Sequence, residues 1–242
     1  MFLLIAVTLS AGITVAVLGA LIIYILANGI MNLTPELFAW KYTTENVSML
    51  PAIINTVLMT ALSLLIAVPI GICSAIYLVE YAKRGNKLVN VVRITTETLS
   101  GIPSIVYGLF GYLMFVIAFG WGLSFFGGAL TLSIMVLPTI MRTTEEALLS
   151  VPDSYRKGSF GLGAGRLRTI FKVVLPSAVP GILSGVILAI GRIVGETAAL
   201  IFTSGTTAEV PKSLFDSGCT LAVHMYKPVS YTHLRAHDTR SN

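Results

Sequence analysis

Long apolar runs separated by short charged clusters dominate the chain. Residues 1–35, 46–79, 98–141 and 173–191 contain no Asp, Glu, Lys or Arg. A helix needs about 20 apolar residues to cross the hydrocarbon core. In lipid, backbone polar groups must be satisfied within a helix or a closed barrel. These runs far exceed the length of a barrel strand, so they predict helices. Run 98–141 is long enough for two crossings, with a tight turn near Gly120-Trp121-Gly122 or Gly127-Gly128. Five spans follow, at about 2–27, 51–79, 99–119, 124–141 and 177–203. The first has no basic flank, and its apolar run is about twice that of a signal peptide; it reads as a span. The expected fold class is an all-α polytopic membrane protein.

Composition agrees. Of 242 residues, 55% are hydrophobic and only 11% charged, against roughly 25% charged in a soluble domain. The basic residues are placed unevenly. Loop 80–93 carries Lys83, Arg84, Lys87 and Arg93, and loop 142–172 carries Arg142, Arg156, Lys157, Arg166, Arg168 and Lys172. Loop 28–50 has only Lys41, and 120–127 has none. Short basic loops stay in the cytoplasm, which puts the N-terminus inside. The net charge of +5 is mostly this bias, so it implies no nucleic acid. Cys73 and Cys219 give neither a disulfide framework nor metal-ligand spacing. The sequons Asn32-Leu33-Thr34 and Asn46-Val47-Ser48 carry little weight.

The inner loop from Asp153 to Pro176 is the most informative segment. Pro152 ends the preceding structure, and Asp153 or Ser154 can cap the helix that follows. Tyr155, Ser159 and Leu162 fall at i, i+4 and i+7, a short docking face. Gly163 can take the left-handed conformation that stops a helix. A second helix carries Leu167, Ile170, Phe171 and Val174 on one side, with Arg166, Arg168 and Lys172 towards water and headgroups. Such a hairpin is either a knob for a soluble partner to push, or a basic element lying on anionic lipid. The cluster Gly161-Leu162-Gly163-Ala164-Gly165 lacks the Gly-Lys-Ser/Thr ending of a phosphate-binding loop, and no strand precedes it. With no such motif anywhere, the chain is not expected to hydrolyse ATP by itself; it reads as a transport subunit whose ATPase is a partner.

Isolated charges on apolar helices are the second signal. An Arg or Glu at mid-membrane costs roughly 2.5–3.5 kcal/mol or more and usually faces a polar cavity or a partner. Arg192 and Glu196 are spaced i, i+4, so they share a helix face and can pair. Arg192 lies about 24 Å along a straight helix beyond Pro176. Arg142 and Glu145, spaced i, i+3, sit where the fourth span meets the inner face. The structural alternatives are an interhelical ion pair for Arg192 and Glu196 and a solvated helix end for Arg142 and Glu145. The functional reading is an anion pathway, because the guanidinium fork matches phosphate or sulfate oxygens and a neighbouring carboxylate keeps the anion from being trapped. In the third span Pro103 must break backbone bonding, and Gly108 and Gly111 thin one face for close helix approach.

The spacing of Gly163, nine residues and Val173-Val174-Leu175-Pro176 resembles the EAA loop of ABC-importer permeases. The three letters that name the loop are degenerate here, as Lys157-Gly158-Ser159. The segments Leu99–Gly111, Arg142–Leu148 and Gly195–Leu200 are together similar to the phosphate-specific ABC-importer permeases, with the PstA-type subunit the closer of the two types. Leu214–Asp216 and Leu221–Tyr226 resemble the external segment before that family's last helix. The resemblance implies a type I importer permease bundle in a bacterial inner membrane. The first helix and external loop would occupy 1–50, and the permease core 51–226, with its coupling loop at 142–176. It implies a heterodimer with a PstC-type permease, a PstB-type ATPase pair that uses ATP and Mg, and a periplasmic binding protein delivering inorganic phosphate. No cofactor is expected on this chain. Asp153, Tyr155, Ser159, Leu162 and Gly163 would meet the ATPase, and Arg142, Glu145, Arg192 and Glu196 would line the path. Two features depart from the family. It usually has a sixth span, whereas residues 227–242 are polar and basic and read as a tail foreign to the fold. The abrupt apolar start is expected to reflect truncation as well. His233 and His237, at i, i+4, read as a chance metal-like pair. A permease for sulfate or molybdate is the alternative. An ion-driven secondary carrier is less favoured, because no inverted repeat is visible.

Overall fold

The computed structural model describes residues 2–31, 34–40, 42, 46, 48–82 and 87–226. Lys41, Lys83, Arg84, His233, His237, the rest of tail 227–242 and parts of both sequons lie outside the described residues. The described residues are overwhelmingly helical and contain no strand. Contacts divide the chain into two units, Met1–Leu50 and Pro51–Asn242.

In the first unit, α1 (Phe2–Met31) is apolar on all sides. Its hydroxyls bond back to its own carbonyls: Thr8 donates to Leu4 at 2.9 Å and Thr14 to Ser10 at 2.9 Å. No polar group of these side chains therefore needs water. A single short turn, Pro35–Phe38, follows.

The second unit holds α2 (Leu50–Ile76), α3 (Lys87–Ser100), α4 (Ser104–Gly111), α5 (Phe125–Ser150), α6 (Asp153–Gly161), α7 (Arg166–Thr169), α8 (Leu175–Val194), α9 (Ala198–Thr203) and a helical stretch at 221–226. Wide π-helical turns extend α2 over Tyr77–Tyr81 and α4 over Tyr112–Ala118, and join α7 to α8 over Ile170–Val174. Among the described residues, four helices, α1 included, are long and apolar enough to cross a membrane, and a bent pair makes a fifth apolar unit.

That bent pair corrects the expected third span. Residues 99–119 do not form one straight helix. The chain runs as helix from Lys87, inside the expected loop, and turns by 103° before Ser104. Pro103 cannot donate to the preceding turn and instead opens α4. The Tyr107 hydroxyl stitches the corner by donating to the Leu99 carbonyl at 2.7 Å.

Two other boundaries move. The fourth span runs to Ser150, nine residues past the expected end. The fifth stops at Val194 and resumes as α9. Of the two candidate turns, the chain uses Gly120 and Gly122, both at positive φ (67° and 68°). Gly127 and Gly128 lie inside α5, which starts when the Ser124 hydroxyl accepts the Gly127 N–H. Trp121 stacks on Phe115 and meets Phe215 edge-on, both at 5.6 Å, tying the outer corner to loop 205–220.

Helix α5 is the hub. Its buried Leu132, Met135, Val136 and Ile140 pack with Met59, Ile193, Leu200 and Val223. Small residues let its neighbours approach. A Cβ on Gly181 would stand 2.6 Å from the Ala147 side chain, and one on Gly185 would overlap Thr143. Gly108 and Gly111 do the same between α4 and α9, where a Cβ on Gly108 would lie 2.8 Å from Ala199 Cα. Without a strong hydrophobic drive between helices in lipid, such close packing supplies the association.

Candidate functional site: an inner charged cavity and the hairpin beneath it

Because α5 continues to Ser150, Arg142 and Glu145 lie within a helix and not at its end. They do not pair with each other. Arg142 Nε donates to Glu146 at 3.0 Å, one turn on, while Glu145 pairs with Arg93 of α3. These groups, with Glu97, line a cavity of about 240 Å³ between α3 and α5. Three carboxylates there face two guanidiniums, so the cavity in this state does not attract an anion. One of its two ion pairs, Arg93–Glu145, joins α3 to α5, and the other, Arg142–Glu146, lies along α5.

Arg192 and Glu196 are separated by a break in the helix, which overturns the expected i, i+4 pair. Arg192 sits in the last turn of α8, where a cation is favoured by the helix dipole. Glu196 lies in the Gly195–Thr197 break, is 8% exposed, and accepts the Ala199 N–H at 3.1 Å. Its carboxylate thus serves an orphan N–H at the start of α9. Arg192 has no ion pair among the described residues. It is not part of the cavity that holds Arg142 and Glu145.

The hairpin forms by local rules. Helix α6 opens after Pro152 with no side-chain cap, so neither Asp153 nor Ser154 plays that part. Asp153 is in the first turn and accepts from Arg156 Nη1 at 3.3 Å. At the other end the Gly163 N–H donates to Phe160 at 2.9 Å and the Ala164 N–H to Ser159 at 3.1 Å. That is the paired closure of a Schellman motif, and Gly163 supplies its left-handed residue at φ 81°. Tyr155 and Leu162 are exposed, at 51% and 91%. Ser159 instead turns inward, 2.8 Å from the Thr169 hydroxyl, and bridges the two arms. Thr169 uses its own proton on the Gly165 carbonyl, which makes Ser159 the donor.

The second arm departs from its expected apolar stripe. Ile170 and Val174 are buried while Leu167 and Phe171 are exposed. The π turn adds a residue to the circuit and splits positions an α-helix would keep together. Arg166 does not simply face water: it donates to the Glu80 carbonyl, and its guanidinium lies over the Tyr81 ring, 5.1 Å from the centroid. Glu80 is itself buried, at 8% exposure, and paired with Arg156.

Sequence reasoning missed Glu80, Glu97, Glu146 and the pairing role of Arg93. The only clue to Glu80 was that it is the first charge after the apolar run 46–79. Its partner lies 76 residues away, a separation no local pattern reveals.

A strained residue at 163 should cost more than a crowded one, because nothing stands within 4 Å of that position. Gly163→Val is expected to fray the hairpin by about 1–2 kcal/mol and raise its proteolysis rate roughly tenfold. Gly163→Asn, which tolerates this conformation, should leave the rate near wild type.

Residues 67–216 match the family model described as the binding-protein-dependent transport system inner membrane component. The chain belongs to this family. It is therefore a multi-pass inner-membrane permease component of an ABC importer, a transport subunit and not an enzyme. Such permeases work with a separate ATPase and a binding protein. Among similar proteins, the probable ABC transporter permease YqgI of Bacillus subtilis is 37% identical over 238 residues, covering 90% of this chain and 79% of the relative. The phosphate transport system permease PstA 1 of Mycobacterium tuberculosis H37Rv is 37% identical over 164 residues, covering 68% and 53%. PstA of Pasteurella multocida is 40% identical over 186 residues, covering 74% and 64%. The chain thus spans about four fifths of YqgI but between half and two thirds of these PstA relatives. In fold, this permease resembles a chain of the MetNI methionine ABC transporter in an inward-facing form. The TM-score is 0.58 at 20% identity, covering 77% of this chain and 90% of that one.

Proposed function

We propose that this permease is the PstA-type membrane subunit of an ATP-driven phosphate importer. Its partners would be a PstC-type permease, a PstB-type ATPase pair that consumes ATP with Mg, and a phosphate-binding protein outside. The observation that carries the proposal is the 36–40% identity to PstA permeases over 164–188 residues. The charge layout supports an anion as cargo. Arg192 is a half-buried cation in the last turn of α8 with no carboxylate on it among the described residues, and its fork of donors fits phosphate oxygens. The Arg93–Glu145 and Arg142–Glu146 pairs are the inner barrier. Their carboxylates repel an anion until α3 and α5 part, which breaks Arg93–Glu145 and frees the Arg93 guanidinium, while Arg142 and Glu146, both on α5, stay together. Glu196 holds the α8–α9 break in shape beside that route. Tyr155 on α6 and Leu162 just past its end, with the hairpin bend at Gly163, present the surface to the ATPase. The N-terminus and the hairpin both lie on the cytoplasmic side.

The test is phosphate uptake into vesicles carrying the complete complex, with sulfate and molybdate as competitors. Phosphate is expected to accumulate with ATP, without competition from either oxyanion. Preferential uptake of sulfate or molybdate would replace phosphate as cargo. In the same vesicles a cysteine at Gly158 should react only from the cytoplasmic side.

A further inference from the structure

No residue of α6 is buried. A helix so thinly packed slides or rolls on its support unless directional contacts hold it, and Arg156 provides them. Its Nε and Nη2 both donate to Glu80 Oε1, at 3.0 and 2.8 Å. Its remaining donors reach the Val151 carbonyl at 2.8 Å, the Leu148 carbonyl at 2.9 Å and Asp153 Oδ1 at 3.3 Å. All five N–H groups of the guanidinium are used. Two of them serve carbonyls at the end of α5 that lack helical partners.

The second arm of the hairpin grips the same place. Arg166 reaches the Glu80 carbonyl and lies over Tyr81. Both arms therefore hold one element, the wide turn Tyr77–Tyr81 at the inner end of α2. Helices α5 and α8 adjoin the hairpin in the chain and feel any push on it directly. Helix α2 does not. Among the described residues, its hydrogen bonds to other neighbouring elements lie away from its inner end: Ser133 of α5 donates to the Ser63 carbonyl at 3.0 Å, and Asn55 and Thr56 bind the segment 209–221 at the opposite end.

We propose that Glu80, Arg156 and Arg166 are positioning residues that yoke the inner end of α2 to the hairpin, so that a push on α6 carries α2 with it. The proposal rests on α6 being the segment worked by the ATPase. Glu80 is the pivot because its carboxylate binds one arm and its carbonyl the other.

The experiment uses the complete complex in lipid vesicles, with nitroxide labels on native Cys73, which is exposed on α2, and on Gly158→Cys, where open space surrounds the position. Buried Cys219 is replaced by alanine. The label-to-label distance is measured without nucleotide and with ATP trapped. Wild type should show one distance, unchanged between the two states. Glu80→Gln should give a second distance in the ATP state. It should also lower phosphate uptake per ATP hydrolysed about tenfold, within the usual span of coupling between sites, while still co-purifying with the ATPase. Glu80→Asp should restore part of that ratio. If Glu80→Gln fails to assemble, Arg166→Gln is read in the same way. A wild-type distance that changes with ATP, or a variant with the wild-type distance and uptake ratio, overturns the yoke. Failure of the wild-type complex to carry phosphate would overturn the substrate alone, since the distances are read without it.

Discussion

Arg192→Gln is expected to reduce phosphate uptake by about 10- to 100-fold while the complex still assembles and hydrolyses ATP. Glutamine keeps two donors and most of the side-chain length but loses the charge. Charge-assisted hydrogen bonds contribute roughly 1.5–3 kcal/mol, and each 1.4 kcal/mol is a factor of ten. The fold should tolerate the change because Arg192 is in no ion pair among the described residues; only its favourable place at the end of α8 is lost, about 0.3–1 kcal/mol. Arg192→Lys should recover part of the uptake, since it keeps the charge and gives up the planar fork. Normal uptake by Arg192→Gln would take that residue off the route.

Arg156→Ala should act on the fold itself. It leaves the buried Glu80 carboxylate without its counter-charge and strips donors from the Leu148 and Val151 carbonyls. Removing one partner of a buried pair costs about 3–5 kcal/mol. At a few degrees per kcal/mol for a chain of this size, the melting temperature of the purified protein should drop by roughly 10 °C. Glu80→Gln added to Arg156→Ala should recover part of that loss, because the orphaned charge disappears; contacting residues couple in this way. Equal melting of the single and double variants would mean the pair carries no stability.

The outline of the bundle was legible because lipid imposes a simple rule: apolar runs of sufficient length become helices. The resemblance was equally legible, since Gly163 and the Leu-Pro after it are set by local backbone needs. Gly163 takes the left-handed conformation expected of it, and Gly108 and Gly111 meet a facing helix as their size suggested. Three physical facts lay outside the pattern. A proline preceded by Gly-Ile turned the third span through a corner instead of bending it slightly. Gly195 ended α8 in a stretch whose hydropathy continued smoothly, which parted Arg192 from Glu196. The charges then chose partners by geometry: Glu145 took Arg93, Arg142 took Glu146, and Glu80 took Arg156. None of the first or last of these partnerships is within one helix, so no reading of a single periodic face finds them.

The wide turn at Ile170–Val174 has a mechanical consequence. Each residue of a helix advances the azimuth by about 100°, and the wide turn carries one residue more than an α-helical circuit. Were it to migrate along the chain, everything on one side of it would swivel relative to the other without any hydrogen-bonded segment melting. Lengthwise force arriving at Arg166 would then reach α8 as torque, turning its side chains about the helix axis.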